Sequence, residues 1–198
     1  MAWRGVEPDR IDAASVILGD DSLAATGTSL TSTHALSYEL ETAAGWVTDR
    51  IRVRVANGAW WRSLDLRRDT ENRWSAVTVG ENDEHLGPAG VLDPGGLDGA
   101  LDCDLQDCPL TNTMPALRHD LVAAARRGEQ TSVDFTMAWI SVPDLVVHIS
   151  KQTYSGVRPG PDGGGYVDFR SGDFEATLLL DGDGLVVDYP RLGARIAT

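Results

Sequence analysis

Asp102 and Asp104 stand two residues apart within the stretch 99–118, GALDCDLQDCPLTNTMPALR, where carboxylates, hydroxyls, amides and two prolines crowd together without amphipathic periodicity. In an extended strand this spacing turns both carboxylates to one side, with Cα atoms about 6.7 Å apart. Two chemistries answer to such a pair. Carboxyl groups roughly 6.5–9.5 Å apart are the acid and base of an inverting glycosidase. The structural alternative is a pair of acceptors for Arg side chains or for the free backbone N–H groups at a helix start, and it is the simpler of the two.

The neighbouring residues point the same way. Thr111, Asn112 and Thr113 offer N-cap chemistry, Pro115 suits a first helical turn, and the Ala, Leu and Arg-rich segment 116–127 closes on Gly128, predicting one helix of about three turns. Asp102, Cys103, Asp104, Asp107, Cys108 and His119 are metal-ligating types, yet their spacing fits no common zinc or calcium pattern. The chain also lacks GxSxG, HExxH, a phosphate-binding P-loop and a GxGxxG between strand and helix. No catalysis, metal or cofactor is expected.

Strands must position this stretch. Residues 46–57 are the clearest, with Ile51, Val53 and Val55 on one face and Arg50, Arg52 and Arg54 on the other, turning at Asn57 and Gly58 into a hairpin partner at 60–68. Further strands are predicted at 10–20, 24–30, 33–40 and 72–80 before the helix, and at 131–141, 145–154, 166–170, 174–181 and 185–189 after it. Residues 81–96 are polar and then rich in Gly and Pro, which reads as a long surface loop. About a dozen strands to one helix, without βαβ alternation, predict a mainly β, single-domain chain built as an antiparallel, curled sheet.

Composition narrows the partners. The net charge of −13 repels phosphate backbones and anionic membranes, and no basic patch offsets it, so no nucleic-acid partner is expected. No apolar run approaches the ~20 residues that span a bilayer. Two cysteines are too few for a disulfide scaffold, and the opening MAWRGVEPDR has no apolar core of a signal peptide, which predicts a cytoplasmic protein.

LDCDLQDCPLTNTMPALR, together with WVTDRIRV at 46–53, QTYSG at 152–156, GLVVDYPRLGAR at 184–195 and the opening Trp3 with Glu7, resembles the bacterial putative glycolipid-binding family over nearly the whole chain. The resemblance implies a spiral β-roll, an incomplete antiparallel barrel similar to bacterial lipoprotein carriers. It also implies an amphipathic ligand such as a glycolipid or a lipid-linked sugar. An acyl chain would lie in the concave inner face of the roll, with a polar mouth for the head group. The residues expected at that mouth are Asp102, Asp104, Thr111, Asn112, Thr113, Gln152, Tyr154, Asp188 and Tyr189, with Trp46 and Arg50 completing the candidate set. The same residues could instead lock the helix start to the sheet. Two other function classes stand beside the carrier: a sugar hydrolase using Asp102 and Asp104, and a module whose sheet edge pairs with a protein partner or a second copy as a homodimer.

Overall fold

A computed structural model describes residues 1–196. The first seven strands form an antiparallel meander: β1 (Ala2–Gly5), β2 (Arg10–Leu18), β3 (Leu23–Leu30), β4 (Ala35–Thr42), β5 (Thr48–Ala56), β6 (Trp61–Arg68) and β7 (Trp74–Glu81). Then come β8 (Gly90–Val91), β9 (Asp102–Leu105), the helices α1 (Thr113–Arg118) and α2 (Leu121–Arg127), β10 (Ser132–Ile140) and β11 (Val146–Pro159). The chain ends on β12 (Gly165–Ser171), β13 (Phe174–Leu180), β14 (Val186–Tyr189) and β15 (Gly193–Arg195). All fifteen strands belong to one open sheet, in the order β7 to β1, then β15 down to β9, with β8 paired to β11. The first and last strands are therefore neighbours at its centre, with Trp3 opposite Arg195.

Alternation explains the curl. Along β2 to β6 every second residue is buried, and Leu36, Tyr38, Leu40, Ile51, Val53, Val55, Leu64 and Leu66 fill the inside of the meander. A second buried cluster lies under α2, where Leu121, Val122 and Ala125 pack with Phe135, Tyr154, Val167, Phe169 and Tyr189. Gly165 permits this approach, because a Cβ there would stand 2.9 Å from that of Ala125. The inner face of the roll is thus filled by side chains rather than left as a groove for an acyl chain. On the outer face, Arg50 is bonded to Asp65 and Arg52 to Glu39 and Glu41, while Arg54 lies over the Trp61 ring.

β9 sits at the seam where the two arms of the roll meet. It runs parallel to β10, with Asp102 opposite Met137 and Leu105 opposite Ile140. On its other side Thr48 of β5 donates its N–H to Leu101 O (3.1 Å) and accepts the Cys103 N–H on its hydroxyl (3.0 Å). Trp74 Nε1 of β7 donates to Ala100 O at 3.0 Å. All four residues of β9 are buried as a result.

Four sequence expectations change. Fifteen strands replace about a dozen, because β1, β8 and β15 are only four, two and three residues long. The single helix is two, broken where Asp120 adopts a left-handed conformation (φ 50°) that Asp tolerates. Two pairings are parallel in a sheet expected to be antiparallel: β9 with β10, joined by the two helices, and β8 with β11. The loop 81–96 is pinned rather than loose: buried Arg62 donates to Asp83, Gly87 O (2.8 Å) and Asp144 O (2.8 Å). Among the described residues no helix is long and apolar enough to cross a membrane.

Candidate functional site

The carboxylates of β9 have different partners. Asp102, 1% exposed, receives both terminal nitrogens of Arg118 from the end of α1, with Nη1 to Oδ1 at 3.0 Å. Arg118 also reaches Gly45 O at 3.4 Å, so this ion pair ties β9, α1 and the turn before β5 together. Burial still pushes the Asp102 carboxyl above its usual range. Asp104 has no cation. Its Oδ1 lies 2.8 Å from the Thr111 hydroxyl, and its Oδ2 accepts Gln152 Nε2 from β11 at 2.7 Å. Burial outweighs these two bonds and pushes Asp104 up to about 6.

Two further contacts complete the polar cluster. Tyr154, two residues after Gln152 and so on the same face of β11, donates its hydroxyl to Asn112 Oδ1 at 2.8 Å. The amide nitrogen of Asn112 reaches only Cys108 O, at 3.5 Å. Gln152 is 3% exposed, and its Oε1 has no hydrogen-bond partner.

Asp104, Asn112 and Gln152 form the floor of a cleft of about 400 Å³. Its walls are Trp139, Ile149, Phe169, Phe174, Tyr189 and Leu192, with Ser150 and Ser171 at the edge. The aromatic wall is closely packed: Phe169, Phe174 and Tyr189, with Tyr154 behind them, meet at ring-centroid distances of 5.2–6.1 Å, from edge-on to tilted. On the opposite side the turn of Leu105, Gln106, Asp107 and Cys108 separates the cleft from a smaller cavity of about 120 Å³. Buried Arg10 of β2 holds both lips, since its Nη2 donates to Asp107 O (2.6 Å) and Leu192 O (3.1 Å) while its Nε is bound to Asp12. A wider groove of about 810 Å³ crosses the outer face of β2 to β7, lined by Thr and Ser hydroxyls and the exposed Val77 and Val79, with Arg52 held by Glu39 and Glu41 and Arg54 over the Trp61 ring; it has no buried polar floor.

The structure brings together six of the eleven residues singled out in the sequence. Asp104, Asn112, Gln152 and Tyr189 line the cleft, and Thr111 and Tyr154 stand directly behind it. Asp102 and Thr113 are buried outside its lining, so the two carboxylates of β9 do not face one cavity. Asp188 follows the opposite face of β14 from Tyr189, Trp46 packs against the core of the meander, and Arg50 lies on the outer sheet with Asp65. Trp139, Ile149, Phe169, Phe174 and Leu192 complete the cleft and are not among the residues that the sequence singles out. They lie on β10, β11, β12, β13 and the turn after β14, so no local spacing groups them.

No curated protein matches the sequence. The fold is similar to the crystal structure of a DUF1089 family protein from Pseudomonas aeruginosa, with a TM-score of 0.67 and 23% identity over 93% of this chain and 92% of that one. The family model described as putative glycolipid-binding matches residues 1–195. The chain belongs to the putative glycolipid-binding family.

Proposed function

We propose that the protein binds an amphipathic small molecule in the cleft between β9, β11 and the β12–β13 turn, and that it does so without catalysis. The observation that carries this is the division of the cleft into a buried polar floor of Asp104, Asn112 and Gln152 and a wall of aromatic and aliphatic side chains. A head group hydrogen-bonds to such a floor while an apolar segment leaves along Trp139, Ile149, Phe174 and Leu192. The family description points to the same class of ligand. The apolar segment therefore lies along the cleft wall and not inside the roll, whose interior is occupied.

Native mass spectrometry of the purified protein, followed by organic extraction, tests this without a guess at the ligand. A stoichiometric amphiphile that is lost in a Trp139→Ala variant supports the proposal. A protein that is empty and also takes up no acylated probe overturns it, and the polar cluster is then a lock between β9, α1 and β11.

A further inference from the structure

We infer that the cleft selects an uncharged, hydroxyl-rich head group and rejects a phosphate-linked one, an inference that rests on the cleft being the ligand site. The lining contains two carboxylates, Asp104 and Asp107, three amides, Gln106, Asn112 and Gln152, and no Lys or Arg. The nearby cations are committed elsewhere. Arg10 is spent on Asp12, Asp107 O and Leu192 O. Arg191 lies over the Phe174 ring, 4.4 Å from its centroid, and donates to Glu175 O at 3.3 Å.

The free hydrogen-bonding capacity of the floor decides the class. Gln152 Oε1 is a buried acceptor without a donor, and its amide sits between Asp104 and Ser150, both of which line the cleft. Each Asp104 oxygen holds one donor and keeps a lone pair for another. Asn112 Nδ2 is a donor with only a long contact to Cys108 O. A hydroxyl group both donates and accepts, so neighbouring hydroxyls on one head group satisfy Gln152, Asp104 and Asn112 together. A phosphate offers acceptors only, which would face Gln152 Oε1 and two carboxylates without a counter-charge in a molecule of net charge −13. An ammonium offers donors only: it suits the carboxylates but brings no acceptor to Asn112 Nδ2, which keeps only its long contact to Cys108 O. Of the two ligand types that the family resemblance suggested, a glycolipid with a direct glycosidic link fits, and a sugar joined to its lipid through phosphate does not.

Three amphiphiles with the same alkyl chain separate these cases: dodecyl maltoside, dodecyl phosphate and dodecylamine, each titrated below its micellar concentration at about 0.15 M salt to screen the net charge. Dodecyl maltoside is expected to bind at least ~tenfold more tightly than either of the others. Gln152→Met, which keeps side-chain volume and removes the amide, is expected to lower maltoside affinity about tenfold and to leave the weak phosphate binding unchanged. Near-UV circular dichroism checks its fold, and Ser150→Ala provides a second, more exposed substitution on the same network, with a smaller loss expected. Equal or tighter binding of dodecyl phosphate or dodecylamine overturns the selectivity while leaving the cleft as a ligand site. Maltoside affinity unchanged in both variants overturns it as well, because the head group then lies elsewhere. Binding of none of the three removes the cleft as a ligand site and this inference with it.

Discussion

Replacing Asp104 by Asn should make the protein more stable near neutral pH. Asp104 is buried without a cation and pushed up to about 6. By about pH 3 its carboxyl is mostly neutral in both the folded and the unfolded chain, and its burial carries little ionisation penalty. As pH rises from about 4 to about 6, the unfolded chain releases this proton while the folded chain keeps it, so stability falls through that window. Above about pH 7 the full difference is in place, roughly two units or about 3 kcal/mol. Asn reproduces the neutral form. Its oxygen can accept from Thr111, and half a turn of the Gln152 amide sets the unpartnered Oε1 against the new Asn nitrogen. Urea unfolding followed by tryptophan fluorescence should therefore show Asp104→Asn about 3 kcal/mol more stable than wild type at pH 7.5, equivalent to a Tm higher by roughly 6–12 °C. The gap should close to near zero at about pH 3. Other carboxylates, such as Asp65 held low by Arg50, cancel when the two proteins are compared at each pH. A gap that does not change with pH, or a variant less stable than wild type at neutral pH, would refute the account of Asp104 as a buried charge without compensation.

Three further outcomes follow from the packing. Arg118→Ala leaves Asp102 buried and alone, and should cost about 3–5 kcal/mol in denaturant unfolding, with part recovered by adding Asp102→Asn. Gly165→Val forces a branched side chain against Ala125 and Val122, and a loss of about 1–3 kcal/mol is expected in thermal unfolding. Burial raises the Cys103 thiol far above its usual range and pushes that of half-buried Cys108 up to about 11, so at about pH 8 Cys103 should not react with a thiol reagent until the protein is unfolded, and Cys108 should react more slowly than a free thiol.

Much of the fold could be read from period-2 alternation. Ile51, Val53 and Val55 against Arg50, Arg52 and Arg54 gave both a strand and its buried face, and the structure keeps that division. Strands of two to four residues, such as β8 and β15, contain too little period to register. The run 116–127 is rich in Ala, Leu and Arg, but His119 and Asp120 are weak helix formers at its middle, and its two halves have different tertiary duties. Arg118 must meet Asp102, and Leu121 to Ala125 must lie on β11 and β12, so the helix breaks between them at Asp120. The site was half legible for a related reason. Asp104, Thr111 and Asn112 are close in sequence, so local spacing could group them. The aromatic wall gathers from β10, β12, β13 and β14, and only the curl of the sheet unites it. Strand parity alone separates Asp188 from Tyr189, since adjacent residues face opposite sides.

The two carboxylates of β9 are held in different ways. Asp102 is matched by Arg118 at the seam of the roll, where it joins parts of the chain that are distant in sequence. Asp104 lies two residues further on, at the same depth, with hydrogen bonds but no cation. If closing the seam were its only task, a neutral acceptor such as Asn would serve at lower cost, because the unpaired charge opposes folding at neutral pH. A side chain that opposes folding and also forms the floor of a cleft has the profile of a recognition group. Asp104→Asn should then gain stability and lose ligand affinity together, and a variant that gains stability while binding unchanged would return Asp104 to a purely structural role.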